Sequence, residues 1–245
     1  QFLRYVPLVA SRAREVLLRV PPDVAPLAGA LAPNCRIIEA AQPPAPFDYQ
    51  CPLLSLPHAF GTTLADVPSR VPYLQADPAR VAQWRKKLAA QAGRKIGIMW
   101  SGNPRHTNDH NRSIPLEQFR TIADAPAQFV NLQPRVRESE REALAAWPGL
   151  IDTGPGLRDF GDTAALLMAL DLVITVDTSV AHLAGALGRP VWILLPYLPD
   201  WRWMLARTDS PWYPTARLYR QPAVGAWQPV LRAVSSDLRN AAGPQ

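Results

Sequence analysis

The sequence predicts an α/β protein made of two Rossmann-like lobes, each on a parallel sheet, facing one another across a cleft. Three observations carry that reading. Short apolar runs alternate with amphipathic stretches along the whole chain, which is the rhythm of repeated strand–helix–strand units. The runs "KIGIMW", "LVITV" and "PVWILLP" are apolar at nearly every position, as strands covered on both faces are. The rhythm breaks at the Pro-rich "RVPYLQADPAR" and then restarts. A linker near Val71 to Pro78 therefore divides the chain into residues 1–75 and 76–245.

The first lobe reads as follows. "FLRYVPLVA" has the spacing of a short helix, with Pro7 near its start or bending it. "REVLLRV" (Arg14 to Val20) is a strand, and a helix begins near Asp23. "CRIIEA" is a second strand, followed by a third apolar stretch, "YQCPLLSLP".

Beyond the linker, "PARVAQWRKKLAAQ" is an amphipathic helix, with Asp77 as its cap and Pro78 at its first position. Then come strand "KIGIMW", helix "IPLEQFRTIAD", strand "QFVNLQ", helix "RESEREALAAW" and short strand "LIDT". Helix "GDTAALLMAL", strand "LVITVD", helix "SVAHLAGAL" and strand "PVWILLP" follow, with a last helix within "WQPVLRAVSSDLRN".

Composition narrows the function classes. Lys and Arg number 26 against 20 acidic residues, giving +6, but the arginines are scattered. No dense basic run or basic-aromatic RNA motif occurs, so a nucleic-acid partner is not expected. No apolar run reaches the roughly eighteen residues of a membrane helix, and the start lacks a basic-then-apolar secretory segment. A cytoplasmic protein is expected. Cys35 and Cys51, its two cysteines, read as reduced thiols. The G-x-G-x-x-G, G-x-x-x-x-G-K-[ST] and G-x-S-x-G fingerprints are all missing.

The densest chemistry lies in "LVITVDTSVAHLAGALGRP" (Leu172 to Pro190). Asp177 stands at the carboxyl end of a buried strand, where open parallel sheets bind ligands. Val180, Leu183, Ala184 and Leu187 then share one helical face, and Gly188 with Pro190 ends that helix. Its first turn offers free N–H groups and a positive dipole end, with the Thr178 and Ser179 hydroxyls beside them. This suits a phosphate or diphosphate. His182 is three residues after Ser179 and leans toward the same end; the dipole disfavours its imidazolium, which leaves a neutral donor. The same residues also fit a plain helix cap and a satisfied core histidine.

Two other clusters read as structure. His106 and His110 in "HTNDH" are four apart, a spacing that invites a metal, but they lie in a loop with no His-Glu-x-x-His helix or cysteine pair, so no metal is expected; the loop suits closure over a ligand. Trp201, Trp203, Trp212 and Tyr213 cap a core, and Arg202 and Arg207 pair on the surface.

"DLVITVDTSVAHLAGALGRPVWILLP" resembles the nucleotide-sugar signature of glycosyltransferase family 9, the heptosyltransferase family: Asp-Thr-small-x-x-His-Leu-Ala-Ala/Gly-Ala-Leu-Gly-x-Pro. "PDWRWMLARTDSPWYPTARLYRQ" looks like the subgroup in which this unit follows tetratricopeptide repeats, none of which occurs in these 245 residues. The resemblance implies a GT-B-like fold and a metal-independent, inverting transferase that needs no cofactor. Its donor would be a nucleoside-diphosphate sugar and its acceptor a glycan, a lipopolysaccharide or a protein. Carried over by position, Arg112, Asp177 and His182 fall in the catalytic group. Ser101, Gly102, Asn103, Gln133, Asp162, Thr163, Thr178 and Ser179 border the donor, with Asp159 near the nucleoside. Relatives carry a strand and a Gly-Asp loop just before the segment matching "QFLRY". This sequence begins after that point, so the N-terminal lobe is expected to be incomplete. The alternative is a non-catalytic GT-B-like binding or scaffold module that keeps the nucleotide pocket.

Overall fold

A computed structural model describes residues 1–38 and 45–241. In chain order its elements are helix α1 (Val6–Ala10), strand β1 (Val16–Arg19), α2 (Ala25–Ala28), β2 (Cys35–Ile38), α3 (Leu56–Ala59), α4 (Pro78–Leu88) and β3 (Lys95–Met99). Next come α5 (Asp109–Arg112), α6 (Leu116–Phe119), β4 (Gln128–Asn131), α7 (Arg141–Ala145), β5 (Ile151–Asp152) and α8 (Phe160–Leu167). Last are β6 (Leu172–Val176), α9 (Ser179–Ala186), β7 (Val191–Leu195), β8 (Ala216–Arg220) and α10 (Trp227–Asn240).

β3 to β8 form one six-stranded sheet in the order β5-β4-β3-β6-β7-β8, parallel throughout. The first strand of the unit is central and the order reverses between β3 and β6, where Ile98 pairs with Ile174. That is the doubly wound arrangement, with its ligand crevice at the carboxyl ends of the two strands flanking the reversal. β1 and β2 form a separate parallel pair.

β6 is buried along its length because both sheet faces are covered. Leu172, Ile174 and Val176 point into a core with Phe119 of α6 and Leu231 and Val234 of α10. Val173 points to the other side, into a core with Ala164 of α8 and Val180 and Ala184 of α9. This is the period-two alternation of a strand. The second core also takes in Leu3, Tyr5, Leu18 and Leu27, so the N-terminal segment packs onto the same face of the sheet.

Helix ends follow local chemistry. The Asp77 carboxylate accepts from Ala79 N at 2.7 Å, with Pro78 at the first position of α4, as expected. At the end of α9, Gly188 has φ +69. Its N–H donates to Gly185 O at 3.1 Å and that of Arg189 to Ala184 O at 2.9 Å, which is a Schellman close.

Within the segment expected to link the lobes, Tyr73 and Leu74 donate to Ala186 O, at the end of α9, at 3.0 and 3.3 Å. Several expectations need correction. The expected helix over "IPLEQFRTIAD" is α6 continued by a 3-10 turn, Arg120–Asp124. "RESEREALAAW" is likewise a 3-10 turn running into α7. The "YQCPLLSLP" stretch holds a 3-10 turn, Leu53–Ser55, and leads into α3. "HTNDH" is less of a loop than expected, since α5 starts within it. β8 was not anticipated. Arg217 and Arg220 interrupt its apolar pattern, and Arg217 is accommodated at the sheet edge by an ion pair with Asp237 of α10. Glu39 and Ala40, the end of the expected "CRIIEA" strand, lie outside the described residues.

Candidate functional site

The site residues rise from the carboxyl ends of β3, β4 and β6. After β3 the chain runs through Ser101, Gly102 and Asn103 into α5. Ser101 is 1% exposed and its Oγ has no hydrogen-bond partner among the described residues. Gly102 is forced by packing: a Cβ there would lie 2.5 Å from Asp109 Oδ1 and 2.6 Å from Arg112 Nη2. Its N–H is already engaged, donating to Ser113 Oγ at 3.0 Å. Asn103 shapes the turn, its side-chain oxygen accepting from Arg105 N at 3.0 Å.

Arg112 reaches from α5 to the end of β6. Its Nη1 donates to the Asp177 carbonyl oxygen at 2.9 Å and its Nε to Asp109 Oδ1 at 3.2 Å. Asp109, 5% exposed, also binds Arg137. Two guanidiniums thus share one buried carboxylate, leaving a net positive charge beside Asp177. A shallow depression of about 470 Å³ opens against the same Asp109 and Arg137, walled by Arg105, His106 and His110.

Asp177 follows β6, half-buried, and Thr178 is the N-cap of α9 in extended conformation. Burial raises the Asp177 carboxyl pKa. The nearby Trp203 indole counters this, Asp200 adds to it, and the guanidiniums of Arg112 and Arg202 oppose it. The Trp203 N–H itself completes no hydrogen bond among the described residues. Thr178 departs from expectation. Its hydroxyl is buried and turned back onto Thr175 Oγ1 at 3.0 Å, so it does not cap α9. Ser179 is exposed at the first position of the helix. The helix thus begins with no side-chain cap.

His182 also departs from expectation in its setting. Its ring stacks on Trp203, with centroids 5.1 Å apart and planes 14° apart, and its Nδ1 lies 2.9 Å from the Tyr213 hydroxyl. Its pKa is lowered well below the ordinary histidine value by burial, with the amino group of Gln1 and then Arg202 and Arg4 adding. The direction is the one expected, but the causes are burial and these cations rather than the helix dipole. Trp203, Trp212 and Tyr213 are buried as predicted, while Trp201 is 57% exposed. Arg207 pairs with Asp209 on the surface and Arg202 with Asp200, half-buried.

Gln133 and the α8 residues lie further out along the same rim. Gln133 is buried, its Oε1 without a hydrogen-bond partner among the described residues and its Nε2 donating to Arg135 O at 3.4 Å. Asp162 is tied up in ion pairs with Arg80 and Arg158, both at 3.0 Å. Asp159 caps α8 through Asp162 N at 2.7 Å, and the Thr163 hydroxyl donates to Asp159 O at 3.1 Å. Asp159, Asp162 and Thr163 thus each take part in hydrogen bonds or ion pairs around α8. Among the described residues no group of three or more His, Cys, Asp or Glu gathers to hold a metal. Sequence reasoning did not single out Asp109 and Arg137, which bracket Arg112, and read Trp203 and Tyr213 as packing, although both neighbour His182. The Asp-x-x-Arg spacing of Asp109 and Arg112 was the available signal, since it puts acid and base on one helical face.

Residues 156–195 match the model of glycosyltransferase family 9 (heptosyltransferase). The matched segment is α8, β6, α9 and β7, the elements that carry Asp177 and His182. Protein FlbA of Caulobacter vibrioides is 32% identical over 203 residues, covering 79% of this chain and 33% of that protein. The chain thus spans about a third of the length of the curated relative it matches. Among solved structures, the family 9 glycosyl transferase of Veillonella parvula aligns with a TM-score of 0.50 and 14% identity, over 89% of this chain and 66% of that one. The E. coli heptosyltransferase WaaC with ADP aligns with a TM-score of 0.46 and 19% identity, over 68% of this chain and 50% of that one. The predicted α/β fold with parallel sheets matches the GT-B fold of the Veillonella transferase. No helix of the described residues is long and apolar enough to cross a membrane.

Proposed function

We propose that the chain is the sugar-transferring part of a glycosyltransferase. Residues 76–245 would bind a nucleoside-diphosphate sugar, and residues 1–75 would contribute the acceptor side. One observation carries this reading. At the point where the strand order reverses, an uncapped helix start meets Arg112, which is braced by Asp109 against Asp177. An N–H-rich helix end with a positive neighbour suits a diphosphate leaving group.

In the transfer, an acceptor hydroxyl oxygen forms a bond to the sugar's anomeric carbon as the bond to the diphosphate oxygen breaks. The configuration inverts. The electron pair leaves with the diphosphate, where Arg112 and the start of α9 offset its charge without a metal. The hydroxyl proton passes to a carboxylate. That base belongs on the acceptor side, across the anomeric carbon from the diphosphate; Asp177, beside Arg112 and the start of α9, is placed at the donor end, where its carboxylate would contact the sugar. Ser101, Gln133 and Ser179 offer the polar groups that would orient the donor. Tetratricopeptide repeats elsewhere in a longer protein, a cytoplasmic setting and a glycan, lipopolysaccharide or protein acceptor belong to the same proposal.

The test is a thermal-shift panel of nucleoside-diphosphate sugars, followed by turnover with whichever donor binds. A donor at a hundredfold over its dissociation constant stabilises by about 2.7 kcal/mol, a clear shift. No shift with any nucleoside diphosphate would remove the proposal.

A further inference from the structure

We infer that Tyr213 is a positioning residue, whose hydroxyl donates to Nδ1 of His182 and holds that ring as the Nε2–H tautomer. The contact is built in from both sides. Gly185 lies one helical turn after His182 on the same face of α9. A Cβ at 185 would come within 2.4 Å of the Tyr213 ring, so only glycine lets that ring lie against the helix. Trp203 fixes the imidazole plane by stacking on it.

The direction of the hydrogen bond follows from the neighbours. Tyr213 is fully buried, so its phenolic proton must find a protein acceptor. Arg4, whose guanidinium carbon lies 4.9 Å from the Tyr213 ring centroid, has only donors. The Tyr73 hydroxyl accepts from Arg4 Nη2 at 3.3 Å and donates to the Gln1 carbonyl at 3.2 Å. The Tyr73 hydroxyl also neighbours that of Tyr213, but among the described residues the acceptor seen at hydrogen-bond distance is His182 Nδ1, at 2.9 Å. A phenol is also a stronger donor and a weaker acceptor than an imidazole nitrogen, and a cation against its ring strengthens that bias.

With Nδ1 occupied, the ring proton sits on Nε2, for which the described residues supply no acceptor. His182 then presents an N–H to an oxygen-rich ligand. That use of the donor rests on the function proposed above, whereas the tautomer does not.

The experiment is a long-range proton–nitrogen NMR correlation on the nitrogen-15-labelled chain near neutral pH, with the His182 signals assigned by their loss in His182→Gln. The expected wild-type result is a pyridine-type Nδ1 and a pyrrole-type Nε2. In Tyr213→Phe, which keeps the ring and loses the hydroxyl, the two nitrogens should move toward averaged values. A pyrrole-type Nδ1 in the wild type overturns the inference even if the variant fails to fold. An unchanged pattern in Tyr213→Phe overturns it as well. An Nε2–H tautomer in a chain that binds no nucleoside diphosphate would keep this inference and remove only the proposed function.

Discussion

Arg112 donates to the main-chain carbonyl of Asp177 across 2.9 Å. It thereby ties the loop after β3 to the end of β6, the two strands that flank the reversal in strand order. Asp109 and Gly102 exist around that link. The carboxylate holds the guanidinium's other edge, and the missing Cβ leaves room for both.

Arg112→Ala should therefore have two separable effects. Losing a charged hydrogen bond costs about 1.5–3 kcal/mol of stability, visible in denaturant unfolding. Turnover with the donor found in the panel should fall ten- to a thousandfold, because a preorganised donor for the leaving group is gone. Arg112→Lys should recover the charge but not the two-pronged geometry, and so regain only part of the rate. Full activity in Arg112→Ala would contradict the assignment.

The Asp162 cluster should act on stability. Burial alone would raise the Asp162 pKa, but hydrogen bonds and charge from Arg158, with the charge of Arg80, outweigh it and the net shift is downward. A carboxyl with a depressed folded pKa stabilises the fold above its unfolded pKa, about 3.9, and loses that contribution as pH falls through the folded value. Asp162→Asn should thus cost about 1–2 kcal/mol near neutral pH, with the gap to wild type closing below about pH 4. Urea titrations at both pH values measure it. A gap independent of pH would contradict the ion-pair account.

Gly185→Ala pits two effects against each other. Helix propensity favours alanine by about 1 kcal/mol. Yet the new methyl would stand 2.4 Å from Tyr213 ring atoms, and a buried ring cannot yield as a flexible chain end does. Overpacking of about 1–3 kcal/mol should win. The variant should be less stable in urea. A gain in stability would show that Tyr213 does not rest on α9.

Much of this was legible in the sequence where local pattern and global fold agree. The β6–α9 segment has a run too apolar for anything but a buried strand and a helix closed by Gly188, and both were read correctly. β8 was not legible, because an edge strand with Arg217 and Arg220 has no clean alternation. In the candidate site, Asp177 could be singled out by its position at a strand end, whereas Arg112 was marked only by the family resemblance. Asp109 was legible too, through its i,i+3 spacing to Arg112, whereas Arg137 and Trp203 come near this pair only through the tertiary fold. Thr178 misled for a related reason. A threonine at a helix start usually caps, but here Thr175 and Met99 beneath it draw its hydroxyl inward.

The central claim is that the first turn of α9 holds the diphosphate. Ser179→Pro tests it most directly. Ser179 is the first residue of the helix and Thr178 before it is extended, so proline fits there with little cost to the fold. What it removes is one exposed hydroxyl and one backbone N–H facing the proposed ligand. The variant should unfold at nearly the wild-type temperature when free, yet lose most of the thermal shift that nucleoside diphosphates give the wild type. A full nucleotide-induced shift in Ser179→Pro would contradict the account.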